Sequence, residues 1–343
     1  MAIRLKHLNE QVIVITGATS GIGLTTARLA ADRGAKLVLA SRNGDALQRL
    51  VEELRLKQDC EAIYVAADVG NEGDMMRIAA EALNKFGNFD TWVNNAGVSI
   101  YGKLEEIETS DFHQLFATNF WGVVYGSLIA ARNLKLYGGA IINLGSTLSD
   151  VSIPLQGMYC ASKHAVKGFT DALRMELEAE GAPISVSLIK PSAIDTPYKD
   201  HAKNYLDVEP INPAPVYSPD TVANTILYCA ENPVRDVFVG AGGKMMSAAN
   251  GYAPRLTDLY MENVMIDSQK TDQPVNGRRL EGLWESSDGS LNERGGYEGH
   301  VANSSLYTAA SLHPTLTGSV AAGAALAVGA GLAYSFLRKD RAH

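Results

Sequence analysis

The stretch QVIVITGATSGIG, residues 11–23, predicts the fold of this chain. Its first six residues form a β-branched run without interruption, as expected for a central parallel strand that is covered on both faces. A glycine-rich turn follows, and a helix is predicted over residues 22–33. A strand that leads through such a turn into a helix is the beginning of a βαβ unit.

The same alternation of strand and helix continues to about residue 240. Further strands are predicted at residues 36–40, 62–66, 91–95, 140–144, 185–189 and 237–240. Helical periodicity separates them, for example over residues 45–57, 111–136 and 158–180. We therefore expect an α/β fold with a single Rossmann-type doubly wound parallel sheet, helices on both faces and a C-terminal extension. A ligand would bind at the carboxyl ends of the strands.

The glycine-rich turn has the composition of a phosphate-binding loop. Glycine lets a pyrophosphate approach the backbone, and the first amides of the following helix supply donors and a positive dipole end. The residues concerned are Gly17, Ser20, Gly21, Ile22 and Gly23. Their spacing is G-x-x-x-G-x-G rather than G-x-G-x-x-G, so a glycine-rich turn without a ligand remains an alternative.

The end of the second predicted strand carries Ser41 and Arg42. In dinucleotide-binding folds this position meets the adenine ribose, and a carboxylate there accepts bonds from the 2′-hydroxyl. The chain has no carboxylate at this point, and a guanidinium can pair with a 2′-phosphate through two bonds. The sequence therefore favours NADP(H) as the cofactor. The alternative is that Arg42 is a solvated surface residue.

Tyr159 and Lys163 are four residues apart and therefore lie on one face of a predicted helix. A lysine charge, together with a positive nicotinamide ring, could lower the pKa of the phenol by two to three units, which would make it a general acid or base. The pair alone is weak evidence. Ser146 strengthens it, because this residue follows a predicted strand at the ligand-binding edge of the sheet.

Several features, in their order and spacing, resemble the short-chain dehydrogenase/reductase family over about residues 11–240. They are the turn TGATSGIG at residues 16–23, Asp68-Val69, NNAG at residues 94–97, Asn119, Ser146, Tyr159-x-x-x-Lys163 and the stretch KPSAIDT at residues 190–196. The resemblance implies a hydride transfer between the nicotinamide and a carbonyl or secondary alcohol carbon of a small-molecule substrate.

The resemblance also implies a role for each matching residue. Tyr159 would donate the proton in reduction, and Ser146 would orient the substrate oxygen. Lys163 would bind the nicotinamide ribose, and Asn119 would hold a water that relays protons. The remaining cofactor-binding residues implied are Asp68, Val69, Asn95, Ala96, Gly97, Pro191, Ile194 and Thr196. Ser192 departs from the family, which usually has glycine after the proline.

The residues around this motif set carry weaker predictions. Residues 192–218 are rich in proline and follow a strand, which indicates a substrate lid or an irregular connection. Ala161, Ala165, Gly168 and Ala172 give the Tyr159 helix a face of small residues. Such a face indicates either internal packing or an interface between copies of the chain, and we expect a homo-oligomer by the family resemblance.

Composition excludes several classes of function. The 343 residues carry a net charge of −8, so a nucleic-acid partner has no basic surface to bind. The three cysteines and seven histidines show no spacing typical of a metal site, and we expect none. The unpaired cysteines and the lack of a signal-like segment in residues 1–9 favour a cytoplasmic protein.

The C-terminal third differs in composition from the rest. Residues 1–240 are expected to form the catalytic domain, and residues 241–314 a polar, glycine-rich linker or extension. Residues 319–337 are nineteen uncharged residues, so residues 315–337 could form a transmembrane helix, before a basic tail at residues 338–343. Membrane contact through this segment would favour a lipophilic substrate.

Two alternatives to the enzyme remain open at this point. A non-catalytic NADP-binding regulatory protein would not need Asn119, Ser146, Tyr159 and Lys163 together, and this chain has all four. A nucleotide-sugar epimerase or dehydratase also uses a tyrosine–lysine pair. By family comparison it would have a different glycine spacing and a larger C-terminal substrate domain.

Overall fold

In residues 3–275, 282–286, 290–313 and Thr317, which the computed structural model describes, seven parallel strands form one central sheet. The strands are β1 (Val12–Thr16), β2 (Lys36–Ser41), β3 (Ala62–Ala66), β4 (Thr91–Asn94), β5 (Gly139–Leu144), β6 (Ile184–Pro191) and β7 (Asp236–Val239). Their spatial order is β7-β6-β5-β4-β1-β2-β3, which is a doubly wound sheet. The predicted fold class is confirmed.

The strand β1 is buried along its whole length, as its sequence predicts. It lies between β2 and β4, with Val14 opposite both Val38 and Trp92. Its side chains alternate between the two faces, so that Ile13 and Ile15 belong to one apolar cluster and Val14 to another.

Helices cover both faces of the sheet. They are α1 (Gly21–Asp32), α2 (Gly44–Gln58), α3 (Glu72–Phe86), α4 (Thr109–Phe116), α5 (Gly122–Tyr137), α6 (Gly157–Ala179) and α7 (Pro219–Glu231). Buried residues of α1, α2 and α7 pack in the first cluster, and those of α3, α5 and α6 in the second. The single helix predicted over residues 111–136 is divided into α4 and α5 by a π-helical turn, Ala117–Trp121.

The segment predicted as a linker is more structured than its composition indicates. It contains α8 (Ala241–Tyr252), α9 (Pro254–Tyr260), a π-helical turn (Met261–Met265), one turn of helix (Ile266–Ser268) and α10 (Leu306–Leu312). Short strands tie it to the first domain: Lys270–Pro274 pairs with Val208–Pro210, and Val301–Ala302 pairs with Val216–Tyr217. The described part of the extension therefore packs on the catalytic domain.

Short elements also order the predicted lid region. The strand Val216–Tyr217 pairs with Ala193–Ile194, and Lys203–Asn204 pairs with Ile100–Tyr101. Further 3₁₀ turns lie at Leu8–Glu10, Leu104–Glu106 and Thr147–Ser149.

The predicted membrane helix over residues 315–337 lies outside the described residues, except for Thr317. Where the structure does describe the chain, none of its helices combines the length and the apolar composition that crossing a bilayer requires.

A buried polar network joins the middle of the sheet to two helices. The Asn94 side-chain oxygen accepts a 2.8 Å hydrogen bond from the Trp92 indole, and its amide donates to Asn143 and to Ser127 on α5. Asn143 in turn donates to Thr170 on α6 over 3.0 Å. Each buried polar group has a partner, which is the condition under which such a network stabilises a fold.

Asn94→Ala should lower the free energy of unfolding by about 2–4 kcal/mol, because it leaves the Trp92 indole and the Asn143 carboxamide short of partners. Urea denaturation at constant protein concentration measures the change. Asn263→Ala, which removes an exposed amide on the π-helical turn, is the control and should cost under about 0.5 kcal/mol. Equal costs for the two variants would contradict the assignment.

Candidate active site

A cleft runs along the carboxyl ends of β1, β2, β3 and β4. The predicted cofactor residues that line it are Gly17, Ser20, Gly21, Ile22, Ser41, Arg42, Asp68, Val69, Asn95, Ala96, Gly97 and Thr196. Gly23 acts through packing instead, since a Cβ atom there would overlap the Gly17 carbonyl oxygen. The structure thus brings residues from four strand ends to one cleft.

The glycine-rich turn is held in place by Asn95. The Asn95 amide donates to the Thr16 carbonyl over 2.9 Å and to the Gly17 carbonyl over 3.2 Å. Gly17 has a φ of +66°, and a Cβ atom there would lie 2.8 Å from the Ala96 Cα. The turn therefore needs glycine at this position for both its conformation and its packing.

Arg42 lies at the far end of the cleft and contacts a part of the chain that the sequence did not indicate. Its guanidinium donates to the Gly282 carbonyl and, over 3.2 Å, to the Leu283 carbonyl. Burial lowers the pKa of Arg42, and the nearby Asp68 carboxylate opposes this change. Gly282 and Ser286 line the same cleft as Arg42.

The C-terminal extension also crosses the beginning of α1. The Gly21 amide, one of the donors expected for a phosphate, donates to the Asn292 carbonyl over 2.9 Å. Nearby, Asp195 accepts hydrogen bonds from the amides of Gly295 and Tyr297. Each of these contacts joins a residue of the first 240 to a distant residue of the polar, glycine-rich extension. No local pattern in the sequence could have predicted them.

A second cavity adjoins the cleft. Of the predicted site residues it is lined by Ile22, Asn95, Gly97, Ser146, Tyr159, Lys163, Pro191, Ile194 and Thr196. Much of its remaining wall is apolar, with Leu144, Leu148, Ile153, Met246 and Met265. Asn212, Pro213, Ala214 and Pro215 of the predicted lid region complete one side. Three residues of the predicted catalytic group therefore face a common apolar space.

Ser146 follows β5 and caps the 3₁₀ turn Thr147–Ser149. Its hydroxyl accepts a 3.1 Å hydrogen bond from the Leu148 amide, and its own amide donates to the Ser149 hydroxyl. These two bonds fix Ser146 at the edge of the cavity. Its role as the cap of a turn, which is common for serine, therefore also orients its hydroxyl.

Tyr159 and Lys163 lie on the first two turns of α6, where Lys163 is buried and Tyr159 is partly buried. The Lys163 ammonium lies 5.7 Å from the centre of the Tyr159 ring and donates to the Leu144 carbonyl over 2.8 Å. Burial lowers the pKa of Lys163 to about 8. Burial also raises the pKa of Tyr159 to about 12, although hydrogen bonds to Tyr198 and Ser146 act in the opposite direction.

This direction differs from the lowered pKa that the sequence indicated for Tyr159 beside a lysine and a positive nicotinamide. In the protein alone, the loss of water around the phenol outweighs its favourable neighbours. The protonated phenol is therefore the stable form of Tyr159 at neutral pH.

Asn119 occupies the π-helical turn between α4 and α5 and is fully buried. Its carboxamide pairs with both polar groups of the Val98 backbone, over 2.8 and 2.9 Å, and also donates to the Ser162 hydroxyl. The side chain thus holds the loop after β4 against α6. A π-helical turn at this point is in keeping with the frequent use of such turns at functional sites.

Tyr198 is a site residue that the motifs did not identify. Its ring lies edge-on to the Tyr159 ring with 5.6 Å between centres, and its hydroxyl donates to Gln156 over 3.0 Å. It lines both the cleft and the apolar cavity. The only hint in the sequence is its position two residues after Thr196.

The three cysteines lie in the interior of the protein. Cys60, Cys160 and Cys229 are buried free thiols, and burial raises the pKa of each. In the described ranges, no group of three or more histidine, cysteine, aspartate or glutamate side chains is placed to hold a metal ion.

The doubly wound sheet, the cleft with its glycine-rich turn and the adjoining Ser146–Tyr159–Lys163 group define a dinucleotide-binding α/β protein. A family model described as short chain dehydrogenase matches residues 11–206. The chain belongs to this family, the short-chain dehydrogenases/reductases.

Known proteins similar to the chain fall in the same family. A protein named uncharacterized oxidoreductase YxnA, from Bacillus subtilis, is 46% identical over 94% of this chain and 90% of its own length. A protein named 11-beta-hydroxysteroid dehydrogenase A, from Sesamum indicum, is 38% identical over 54% of this chain and 53% of its own length.

Two solved structures resemble the fold. A short chain dehydrogenase/reductase from Burkholderia phymatum, in complex with NAD, has a TM-score of 0.62 and 27% identity over 80% of this chain and all of that one. An alcohol dehydrogenase from Thermococcus sibiricus, complexed with 5-hydroxy-NADP, has a TM-score of 0.58 and 28% identity over 66% of this chain and 95% of that one.

Lys163→Met should raise the free energy of unfolding at pH 7 by about 1–2 kcal/mol. The pKa of Lys163 falls from 10.5 to about 8 on folding, so burial of its charge costs roughly 3 kcal/mol below pH 8, from which about 1 kcal/mol is subtracted for the lost bond to Leu144. Above pH 8 the folded wild type releases this proton, its stability rises relative to the variant, and the difference should shrink by pH 10.5.

Denaturation curves for both proteins between pH 7 and pH 10 measure this dependence. Lys57→Met, which replaces an exposed lysine, is the control and should show a small and constant difference. A difference for Lys163→Met that stays constant over the range would show that the lysine is not charged at a buried position.

Proposed function

We propose that the protein is an NADP(H)-dependent oxidoreductase that transfers a hydride between the nicotinamide and the carbon of a carbonyl or secondary alcohol. The observation that carries this proposal is that the nucleotide cleft and the apolar cavity adjoin and share lining residues. Ile22, Asn95, Gly97 and Thr196 line both the cleft with the glycine-rich turn and the cavity that holds Ser146, Tyr159 and Lys163.

The residues present fit a dinucleotide. A Cβ atom at Gly17, Gly21 or Gly23 would come within 3.0 Å of neighbouring protein atoms, so the turn requires glycine at all three positions. A turn without side chains lets a pyrophosphate approach the backbone amides at the beginning of α1. Gly17, Ser20, Gly21 and Ile22 would hold the pyrophosphate, with the Gly21 amide exchanging its bond to the Asn292 carbonyl for one to a phosphate oxygen. The other roles follow from position in the cleft: Ser41 and Arg42 for the ribose phosphate, Asp68 and Val69 for the adenine, and Asn95, Ala96, Gly97, Pro191, Ile194 and Thr196 for the nicotinamide half. When bound, the cofactor supplies or accepts the hydride.

The proton chemistry belongs to Tyr159. Because burial raises its pKa to about 12, the phenol carries a proton at neutral pH and can donate it to a substrate oxygen during reduction. Ser146, which hydrogen bonds to Tyr159, would orient that oxygen. In the oxidation of an alcohol Tyr159 would first release its own proton to the relay and then accept the proton of the alcohol as a phenolate, which the positive charge of Lys163 stabilises. Asn119 would hold a water of the proton relay.

The cavity favours a lipophilic substrate. Leucine, isoleucine, methionine and proline side chains form much of its wall, and Gln156 and Asn212 supply polar groups. Such a lining suits an apolar ketone or secondary alcohol with few polar substituents. The name of the Sesamum indicum relative, a hydroxysteroid dehydrogenase, supports this substrate class.

The small-residue face of α6 supports a homo-oligomer. Ala161, Gly168 and Ala172 are exposed, as is Met175 on the same helix, so this face is not used for internal packing. We propose that it contacts a second copy of the chain, which sedimentation velocity can test.

Membrane contact through residues 315–337 remains a prediction. Loss of membrane association on truncation before Thr315 would support it.

Tyr159→Phe should abolish turnover, because the phenol hydroxyl is the group that transfers the proton. Cofactor affinity, measured by quenching or enhancement of NADPH fluorescence, should stay within a few-fold of the wild type. Tyr137→Phe, at an exposed tyrosine at the end of α5, is the control and should leave turnover unchanged. An active Tyr159→Phe variant would remove the proposed mechanism.

Arg42→Ala should weaken NADPH binding about 10- to 150-fold, the effect of losing a hydrogen bond to a charged group worth roughly 1.5–3 kcal/mol. NADH, which lacks the 2′-phosphate, should be affected little. Arg42→Asp should reverse the preference. The measurement is the ratio of kcat/KM for the two cofactors at one fixed salt concentration. If the wild type prefers NADH, or if neither variant changes the ratio, Arg42 does not select the cofactor.

A further inference from the structure

Residues 282–286 form a strap along the nucleotide cleft, which Gly282 and Ser286 line. Leu283 is fully buried and packs in an apolar cluster with Val98, Ile100 and Leu115. The neighbouring Trp284 is half exposed, and its indole donates a 2.7 Å hydrogen bond to the Asp111 carboxylate. The strap is therefore attached at two adjacent points, one apolar and one polar.

Asp111 is a firm attachment point. It lies on α4 and is buried. Its carboxylate also accepts a hydrogen bond from the Tyr205 hydroxyl and forms an ion pair with Lys203 over 2.9 Å. Burial alone would raise the pKa of this carboxyl, but the bonds from Tyr205, Lys203 and Trp284 hold it below its usual value. The charged carboxylate thus fixes the strap to α4.

The backbone of the strap holds Arg42. The carbonyls of Gly282 and Leu283 accept bonds from the two terminal nitrogens of its guanidinium. Gly282 also packs closely on the opposite side of the cleft, where a Cβ atom would lie 2.5 Å from the His201 carbonyl oxygen. Because a guanidinium carries five N–H donors, bonds to two carbonyls fix its plane while leaving capacity for an anion.

The two carbonyls of the strap fix the orientation of the Arg42 guanidinium, which β2 alone does not fix. The opposite charge that acts on it in the cleft is Asp68. An arginine side chain without fixed partners loses rotamer entropy on binding a ligand, and the strap has already ordered this one. An ordered guanidinium is the better receptor for a planar, two-bond contact with a phosphate.

We propose that the strap determines the cofactor preference of the site by orienting Arg42 toward the 2′-phosphate of NADP(H). The C-terminal extension is then part of the nucleotide-binding site and not only a cover for it. This inference rests on the proposed function, because it needs Arg42 to bind that phosphate.

The test is the NADPH/NADH ratio of kcat/KM in Trp284→Phe, which loses the bond to Asp111 but keeps an aromatic ring, and in Leu283→Ala, which loses the buried anchor. We expect the ratio to fall about 5- to 20-fold in each while kcat/KM for NADH stays within twofold of the wild type. Trp121→Phe is the matched control, since Trp121 is 47% exposed and Trp284 50%, and it should leave the ratio unchanged. Circular dichroism and thermal melting establish that each variant is folded.

A double variant separates orientation from general support. In an Arg42→Ala background, Trp284→Phe should have no further effect on the ratio, because the residue through which it acts is gone. A ratio that stays the same or rises in the strap variants overturns the inference, and so does an equal loss with both cofactors. If Arg42→Ala changes the ratio but the strap variants do not, the inference fails and the proposed function stands. A wild type that prefers NADH overturns both.

Discussion

The hydroxyl of Thr16 joins the ends of β1 and β4, and both cavities depend on this junction. It donates to the Val93 carbonyl over 3.2 Å and accepts from the amides of Asn95 and Ala96. The register of the two strands is thereby fixed at the edge where ligands bind. A slip of one residue would reverse every side chain of β1 and move the glycine-rich turn away from Asn95. The cleft is therefore a consequence of strand pairing.

The proposed catalytic group is buried at some cost to the stability of the fold. Burial raises the pKa of Tyr159 to about 12 and lowers that of Lys163 to about 8, so that each group favours its uncharged form more than it would in water. Such shifts are common where a protein places acid and base groups for chemistry. The fully buried strands on either side supply the apolar stability against which this cost is set.

Much of the fold could be predicted from the sequence because its signals are local. The β-branched run of β1, the glycine spacing and the alternation of strand and helix each depend on neighbouring residues. The separation of α4 and α5 could not be read from periodicity, since a π-helical turn adds a residue without interrupting the apolar pattern. The position of Tyr198 could not be predicted for another reason, because its contact with Tyr159 depends on the path of a proline-rich loop.

The extension was the least predictable part, because its polar and glycine-rich composition is typical of a linker while its contacts are all distant in sequence. Leu283 packs in one cluster with Ile100, from which it is separated by about 180 residues in the sequence, and the Asn292 carbonyl accepts a bond from the Gly21 amide. The family model ends at residue 206, whereas the Bacillus subtilis relative matches over 94% of the chain and so includes the extension. Family membership therefore predicts the general chemistry and the nucleotide cleft. The contacts of Arg42 with Gly282 and Leu283 depend on residues that lie beyond the part of the chain matched by the family model.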